Sequence, residues 1–269
     1  MSAMNTSDKT SVAVNTATDD RLSPLLFVEG LTVRYGDFHA LKDVSLSLAP
    51  YGTHAVIGPN GAGKSTLFNA ISGFVKPTAG RVVFSGTDVT AWRPDRLARS
   101  GLARSFQISA IFPDLSVEDN LRMALGRHAD KASLMSSRRA IGLGEEAARL
   151  LSETGLDLRR KERAADLSYG QKRLLELVTT LLLDPRLLML DEPMAGLARE
   201  DIPEVTSLIA KAAGRCSVLL VEHNLHVVER LAQEVTVLAG GCLLSRGTYG
   251  EVASDPRVRE AYIGGSASD

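Results

Sequence analysis

Cysteine is scarce: Cys216 and Cys242 are the only two in 269 residues, and neither belongs to a C-x-x-C pair. That argues against a cysteine-ligated metal centre and against a disulfide framework, and it suits a reducing compartment. An excess of one charge is also missing. Lys and Arg number 31 against 32 Asp and Glu, giving a formal net charge of -1. Nothing global therefore points to nucleic acid or to an anionic membrane surface. The pairs Arg138–Arg139 and Arg159–Arg160 read as solvated faces. No apolar run is long enough to span a bilayer: "LLELVTTLLLDPRLLML" contains Glu176 and is broken by Asp184 and Pro185. The start of the chain has no basic segment followed by an apolar one, so no secretory signal is evident. Internal repeats and sustained heptads are absent as well.

What is present is a soluble globular composition, with 44% hydrophobic and 23% charged residues. The length suits one large domain or a domain with a lobe. Residues 1–23 are rich in Ser, Thr, Asp and Asn and read as a disordered leader, leaving 24–265 as the ordered domain. "LLFVEGLTVRY" and "LKDVSLSL" alternate as half-buried antiparallel strands do, while "HAVIG" reads as a buried strand. "GRVVFSG" is a further strand. A helical subdomain inserted at about 110–180 is expected from "SVEDNLRMAL" and "GEEAARLLSETGL", the former with Ser116 and Asp119 in a capping arrangement. Beyond it follow strand "RLLMLD", helix "EVTSLIAKAA", strand "SVLLVE", helix "HNLHVVERLA" and a hairpin turning at Gly240–Gly241. Strands alternating with helices predict an α/β fold with a mostly parallel sheet, accompanied by the antiparallel β subdomain at the start.

Two motifs carry chemistry. "GPNGAGKST", comprising Gly58, Pro59, Asn60, Gly61, Ala62, Gly63, Lys64, Ser65 and Thr66, fits the phosphate-binding loop pattern and stands between a strand and a helix. Its glycines let backbone N–H groups curl around a phosphate, Lys64 reaches toward the β and γ phosphates, and the Ser65 hydroxyl is a ligand for Mg²⁺. "LLMLDE" is an apolar strand ending in two acids: Asp191 is placed for the Mg²⁺ shell and Glu192 for polarising an attacking water. A third stretch, "LSYGQ" at 167–171, reads as the entry to a helix, with Ser168 as cap and Gly170 permitting close approach. Helix N-termini favour anions, which raises the question of which anion this one would meet.

Taken together, the P-loop, "LSYGQ" and "LLMLDE" resemble the ATP-binding cassette family over almost the whole ordered chain. The resemblance implies a P-loop NTPase core, ATP with Mg²⁺, and two subunits packed head to tail. Ser168, Gly170 and Gln171 of one subunit would then serve the ATP held by the other. It further implies that Tyr35 stacks on adenine, that Gln107 in "ARSFQ" senses the metal and the attacking water, and that His223 contacts the γ-phosphate. Two departures stand out: Tyr169 replaces the first Gly of the family's LSGGQ, and Ala198 stands where an Asp is frequent. The stretches "RSGLARSFQISAIFPDLSVEDNL", "LSYGQKRLLEL" and "EVASDPRVREAYIG" look like the ATPases of importers for branched-chain amino acids, amides or urea. That implies separate permease subunits, a homodimer or heterodimer with a second such ATPase, and a periplasmic solute-binding protein. The expected location is peripheral, on the cytoplasmic face of the inner membrane. The ATPase of a lipopolysaccharide-type exporter, or a soluble ATPase unrelated to transport, is the alternative.

Overall fold

The computed structural model describes residues 23–105, 111–126 and 143–264. Most of the expected leader and Gln107 lie outside the described residues. Strands β1 (Leu26–Tyr35) and β2 (Phe38–Leu48) form an antiparallel hairpin, as their alternation predicts. The register shifts between Val28 and Leu31, where Gly30 has φ +59°; the bulge returns Leu31 and Val33 to the buried face beside Leu26 and Val28. β3 (Gly52–Ile57) leads into α1 (Lys64–Ile71). β4 (Ala79–Phe84) and the short β5 (Thr87–Asp88) complete a four-stranded antiparallel sheet of order β2-β1-β4-β5.

After α2 (Pro94–Arg99) and β6 (Leu102–Arg104) come the helices α3 (Val117–Leu125), α4 (Glu145–Glu153) and α5 (Tyr169–Leu181), with single 3-10 turns at Leu156–Arg159 and Ala164–Asp166. Ser116 caps α3 by accepting from the Asp119 amide at 3.1 Å. The α/β pattern then resumes: β7 (Leu187–Asp191), α6 (Ile202–Ala213), β8 (Ser217–Val221), α7 (Leu225–Leu231), β9 (Glu234–Ala239) and β10 (Cys242–Gly247). Helices α8 (Tyr249–Ser254) and α9 (Pro256–Gly264) follow.

The second sheet has the order β10-β9-β3-β8-β7-β6, parallel throughout except for the β9–β10 hairpin. Every residue of β7 and β8 is buried, and the two faces divide them by alternation. Leu188, Leu190, Val218 and Leu220 join a core with α5 and α6; Leu187, Met189, Leu219 and Val221 join the other core with α1 and the antiparallel sheet. Strands sealed on both faces read as continuous apolar runs, which is why "RLLMLD" and "SVLLVE" show no alternation. Because β3, β6, β7 and β8 run parallel, the loops that follow them all emerge at one edge of the sheet. That edge is where open α/β sheets bind ligands.

Candidate active site

The loop between β3 and α1 depends on glycine at two places. A Cβ on Gly58 would fall 2.1 Å from the Leu238 carbonyl oxygen, and one on Gly63 would fall 2.7 Å from that of Ala40. Both have positive φ, at +152° and +101°. Helix α1 opens with no side-chain cap and no acidic residue in its first turn, which leaves its N-terminal amides free to favour an anion. Asn60, Gly61 and Ser65 are exposed, Pro59 and Thr66 half-buried, and Ala62 buried. Lys64 is only 7% exposed and its ammonium folds back onto the loop, donating to the carbonyls of Gly58 at 2.8 Å and Pro59 at 3.0 Å. Burial pulls its pKa down, opposed by the nearby charges of Glu192 and Asp191.

Those two carboxylates end β7. Asp191 Oδ2 accepts from Arg104 at 3.1 Å, and the same guanidinium donates to Asn69 Oδ1 at 2.7 Å and Ser72 Oγ at 2.8 Å. The next residue, Glu192, has φ +49°, a left-handed backbone that side chains other than glycine adopt at a cost. Its N–H donates to Val221 O at 2.9 Å, which extends the β7–β8 ladder by one step, and its Oε1 lies 2.9 Å from His223 Nε2. One sheet edge therefore gathers Lys64, Asp191, Glu192 and His223. This is an arrangement suited to a phosphate flanked by a cation and a base.

The remaining candidates are placed differently. Tyr35 ends β1 exposed, paired across the hairpin with Phe38. A cavity of about 340 Å³ beside the phosphate loop is lined by Phe38, His39, Lys42, Gly61 and the Gly240–Gly241 turn, and Tyr35 is not among its walls. Ser168 caps α5 and accepts from the Gln171 amide at 3.2 Å, while the Gln171 side chain accepts from the Ser168 amide at 3.0 Å. A Cβ on Gly170 would fall 2.3 Å from the Asp201 carboxylate, so the close approach there comes from the chain's own residue just before α6. No hydrogen bond or ion pair among the described residues joins Ser168, Gly170 or Gln171 to the Lys64 group. Tyr169 is the first helical residue of α5, a position any L residue adopts, and its hydroxyl donates to Ala195 O at 3.3 Å. Ala198 is exposed in the loop before α6.

Sequence reading missed Arg104 and Glu222. The only local signal for either is its place at or just after the end of a strand.

A family model described as "ABC transporter" matches residues 41–195, more than half of the chain. The chain belongs to the ATP-binding cassette family. It is an ATP-binding protein and an ATPase, the motor of a transporter. A second family model, for branched-chain amino acid ATP-binding cassette transporters, matches residues 242–268. The cassette is 35% identical over 253 residues to the high-affinity branched-chain amino acid transport ATP-binding protein BraF of Pseudomonas aeruginosa, covering 90% of this chain and 98% of that one. It is also 35% identical over 250 residues to LivG of Escherichia coli, a protein of the same description, with the same coverage. Among solved structures, a nucleotide-free ATP-binding cassette from an ABC transporter superposes with a TM-score of 0.77 at 29% identity, and an ADP-bound one with 0.77 at 30%. Each alignment covers 90% of this chain and 99% of the other.

The donor set fits Mg²⁺ as well as ATP. Among the described residues no cluster of three or more His, Cys, Asp or Glu side chains could cage an ion. Ser65 offers a hydroxyl and Asp191 a carboxylate, hard oxygen donors of the kind that would suit Mg²⁺ alongside water and substrate phosphates. No helix among the described residues is long and apolar enough to cross a membrane.

Proposed function

We propose that this cassette energises an importer for branched-chain amino acids or a related amide- or urea-type solute. The supporting observation is the match of residues 242–268 to the branched-chain amino acid transporter model, a segment outside the ATPase motifs. It favours this reading over a lipopolysaccharide-type exporter or a soluble ATPase. Separate permeases would supply the membrane path, a periplasmic binding protein the solute, and a second ATPase, identical or different, the other half of a dimer. The cassette would sit peripherally on the cytoplasmic face of the inner membrane.

In this reading Tyr35 stacks on adenine, and the loop from Gly58 to Thr66 wraps the phosphates. Lys64 exchanges the carbonyls of Gly58 and Pro59 for the β and γ phosphates. Ser65 and Asp191, with Gln107, would hold Mg²⁺, which supplies charge neutralisation on the phosphates. Glu192 takes the proton of the attacking water as its oxygen bonds to the γ-phosphorus and the bond to ADP breaks. His223, within 2.9 Å of Glu192, holds that carboxylate and faces the γ-phosphate. Ser168 and Gly170, with Gln171 locking the cap, would present the α5 N-terminus to the ATP of the partner cassette.

Two measurements test this. Glu192→Gln should bind Mg-ATP and form the closed pair while turnover falls by about 10² to 10⁴-fold, the scale of a lost general base. Turnover at the unsubstituted rate removes Glu192 from the role. Deleting the gene should abolish uptake of labelled leucine, urea or a short-chain amide, and unchanged uptake of all three refutes the importer assignment.

A further inference from the structure

Three successive residues of the loop after Glu192 have their backbone held by side chains from elsewhere in the chain. Arg173 Nε donates to Pro193 O at 3.2 Å, the Met194 amide donates to Glu222 Oε1 at 2.9 Å, and the Tyr169 hydroxyl donates to Ala195 O. Of the three holders, Glu222 alone is also tied to His223. Its Oε2 accepts from the amides of His223 and Asn224, both at 2.9 Å. The residue is 4% exposed, and both of its oxygens are engaged. A buried carboxylate is tolerated when charge-assisted hydrogen bonds replace its water, and three backbone amides do so here.

The placement extends the sheet. Val221 O, at the end of β8, receives the Glu192 amide; the Met194 amide, two residues on, finds the Glu222 side chain where a backbone carbonyl would continue the ladder. Glu192 is thus fixed between two cross-links to the segment that carries His223. Its own carboxylate meets that histidine at 2.9 Å.

We propose that Glu222 is a positioning residue for hydrolysis: one carboxylate fixes the His223 turn and the Glu192 loop relative to each other. The proposal rests on the roles given above to Glu192 and His223. Glutamine at 222 keeps the shape but has one acceptor oxygen, so either Met194 or the His223–Asn224 pair meets an amide NH2, donor against donor.

The test is steady-state ATP hydrolysis by the purified 269-residue chain carrying Glu222→Gln, at a temperature where circular dichroism shows it folded. Expected is a fall in kcat of about tenfold or more, as displaced catalytic groups produce, with KM for ATP within about twofold. In a His223→Ala background the same substitution should cost less than about twofold, since the Glu192–His223 register that Glu222 fixes then has no histidine left to align. The proposal is overturned by an unchanged kcat, by a loss carried in KM, by the full loss persisting in the His223→Ala background, or by a Glu222→Gln chain that does not fold. Glu192→Gln and His223→Ala measured alongside separate the two failures. If both keep turnover, the reading of the site falls and this proposal with it; if both lose turnover while Glu222→Gln keeps it, only the positioning role falls.

Discussion

Arg104 and Asp191 form an ion pair of 3.1 Å in which both side chains are almost wholly buried, at 11% and 9% exposure. The guanidinium is itself anchored on Asn69 of α1 and on Ser72 at its C-terminal end, so the carboxylate that ends β7 is held from the helix that follows the phosphate loop. Arg104→Ala strands a buried charge. The chain should lose ~3 kcal/mol of stability in urea unfolding at neutral pH, and Arg104→Lys should recover only part because it lacks the planar fork. An unchanged unfolding midpoint in the alanine variant would show that the pair contributes nothing net.

Tyr169 packs its ring against Gly196, about where a Cβ there would make ordinary contact, and its hydroxyl reaches Ala195. Restoring glycine removes both contacts and puts a flexible residue at the first turn of α5. Thermal melts should show Tyr169→Gly destabilised by ~1 kcal/mol and Tyr169→Phe by less. Equal stability of all three would mean that the tyrosine is idle.

Much of this frame was legible in the sequence, and the exceptions share a cause. The β1–β2 alternation, the apolar runs of β3, β7 and β8, and the Gly240–Gly241 turn are local signals, and each became the element expected. "HNLHVVERLA" did not become helix throughout: α7 starts at Leu225 because the Asn224 side chain caps it, accepting from the Val227 amide. α2, six residues opening on Pro94, is too short for periodicity to register. Arg104 and Glu222 escaped notice for a different reason. Their partners lie 28 to 87 positions away, apart from the amides beside Glu222, and pairing over that distance leaves no mark on neighbouring residue types. At Tyr169 the departure from the family's glycine makes no backbone demand, since the residue opens a helix that any L residue can enter.

His54 sits in β3 at 5% exposure, with Nδ1 3.1 Å from Glu234 and Nε2 2.8 Å from Thr236 Oγ1. Burial pushes its pKa down from 6.5 to about 4, against the pull of Glu234 and with Arg246 adding to the fall. The unfolded ring takes a proton below pH 6.5, whereas the folded ring stays neutral to about 4. Stability is therefore full above 6.5 and declines as pH drops toward 4, by up to ~3 kcal/mol. Glu234, held below its ordinary range chiefly by Arg246, adds its own loss only at more acid pH. Unfolding midpoints at pH 7.5, 6 and 5 should trace this slope, and His54→Gln should flatten it.

The two thiols should react very differently. Cys242 is exposed, whereas Cys216 is 3% exposed, donates to Ala212 O at 3.4 Å, and has its pKa pushed up to about 11 by burial. A thiol reagent at pH 8 should modify one cysteine per chain promptly and the second only after denaturant is added. Simultaneous loss of both would contradict the burial of Cys216.

A sheet gripped by packed side chains above and below makes a stiff ruler and a poor spring. Leu187 to Leu190 and Val218 to Val221 alternate between two dense interiors, so their strands have little room to bend or slide. Work done on the nucleotide must therefore leave through the turns that end these strands, and whatever is bolted to those turns travels as a unit.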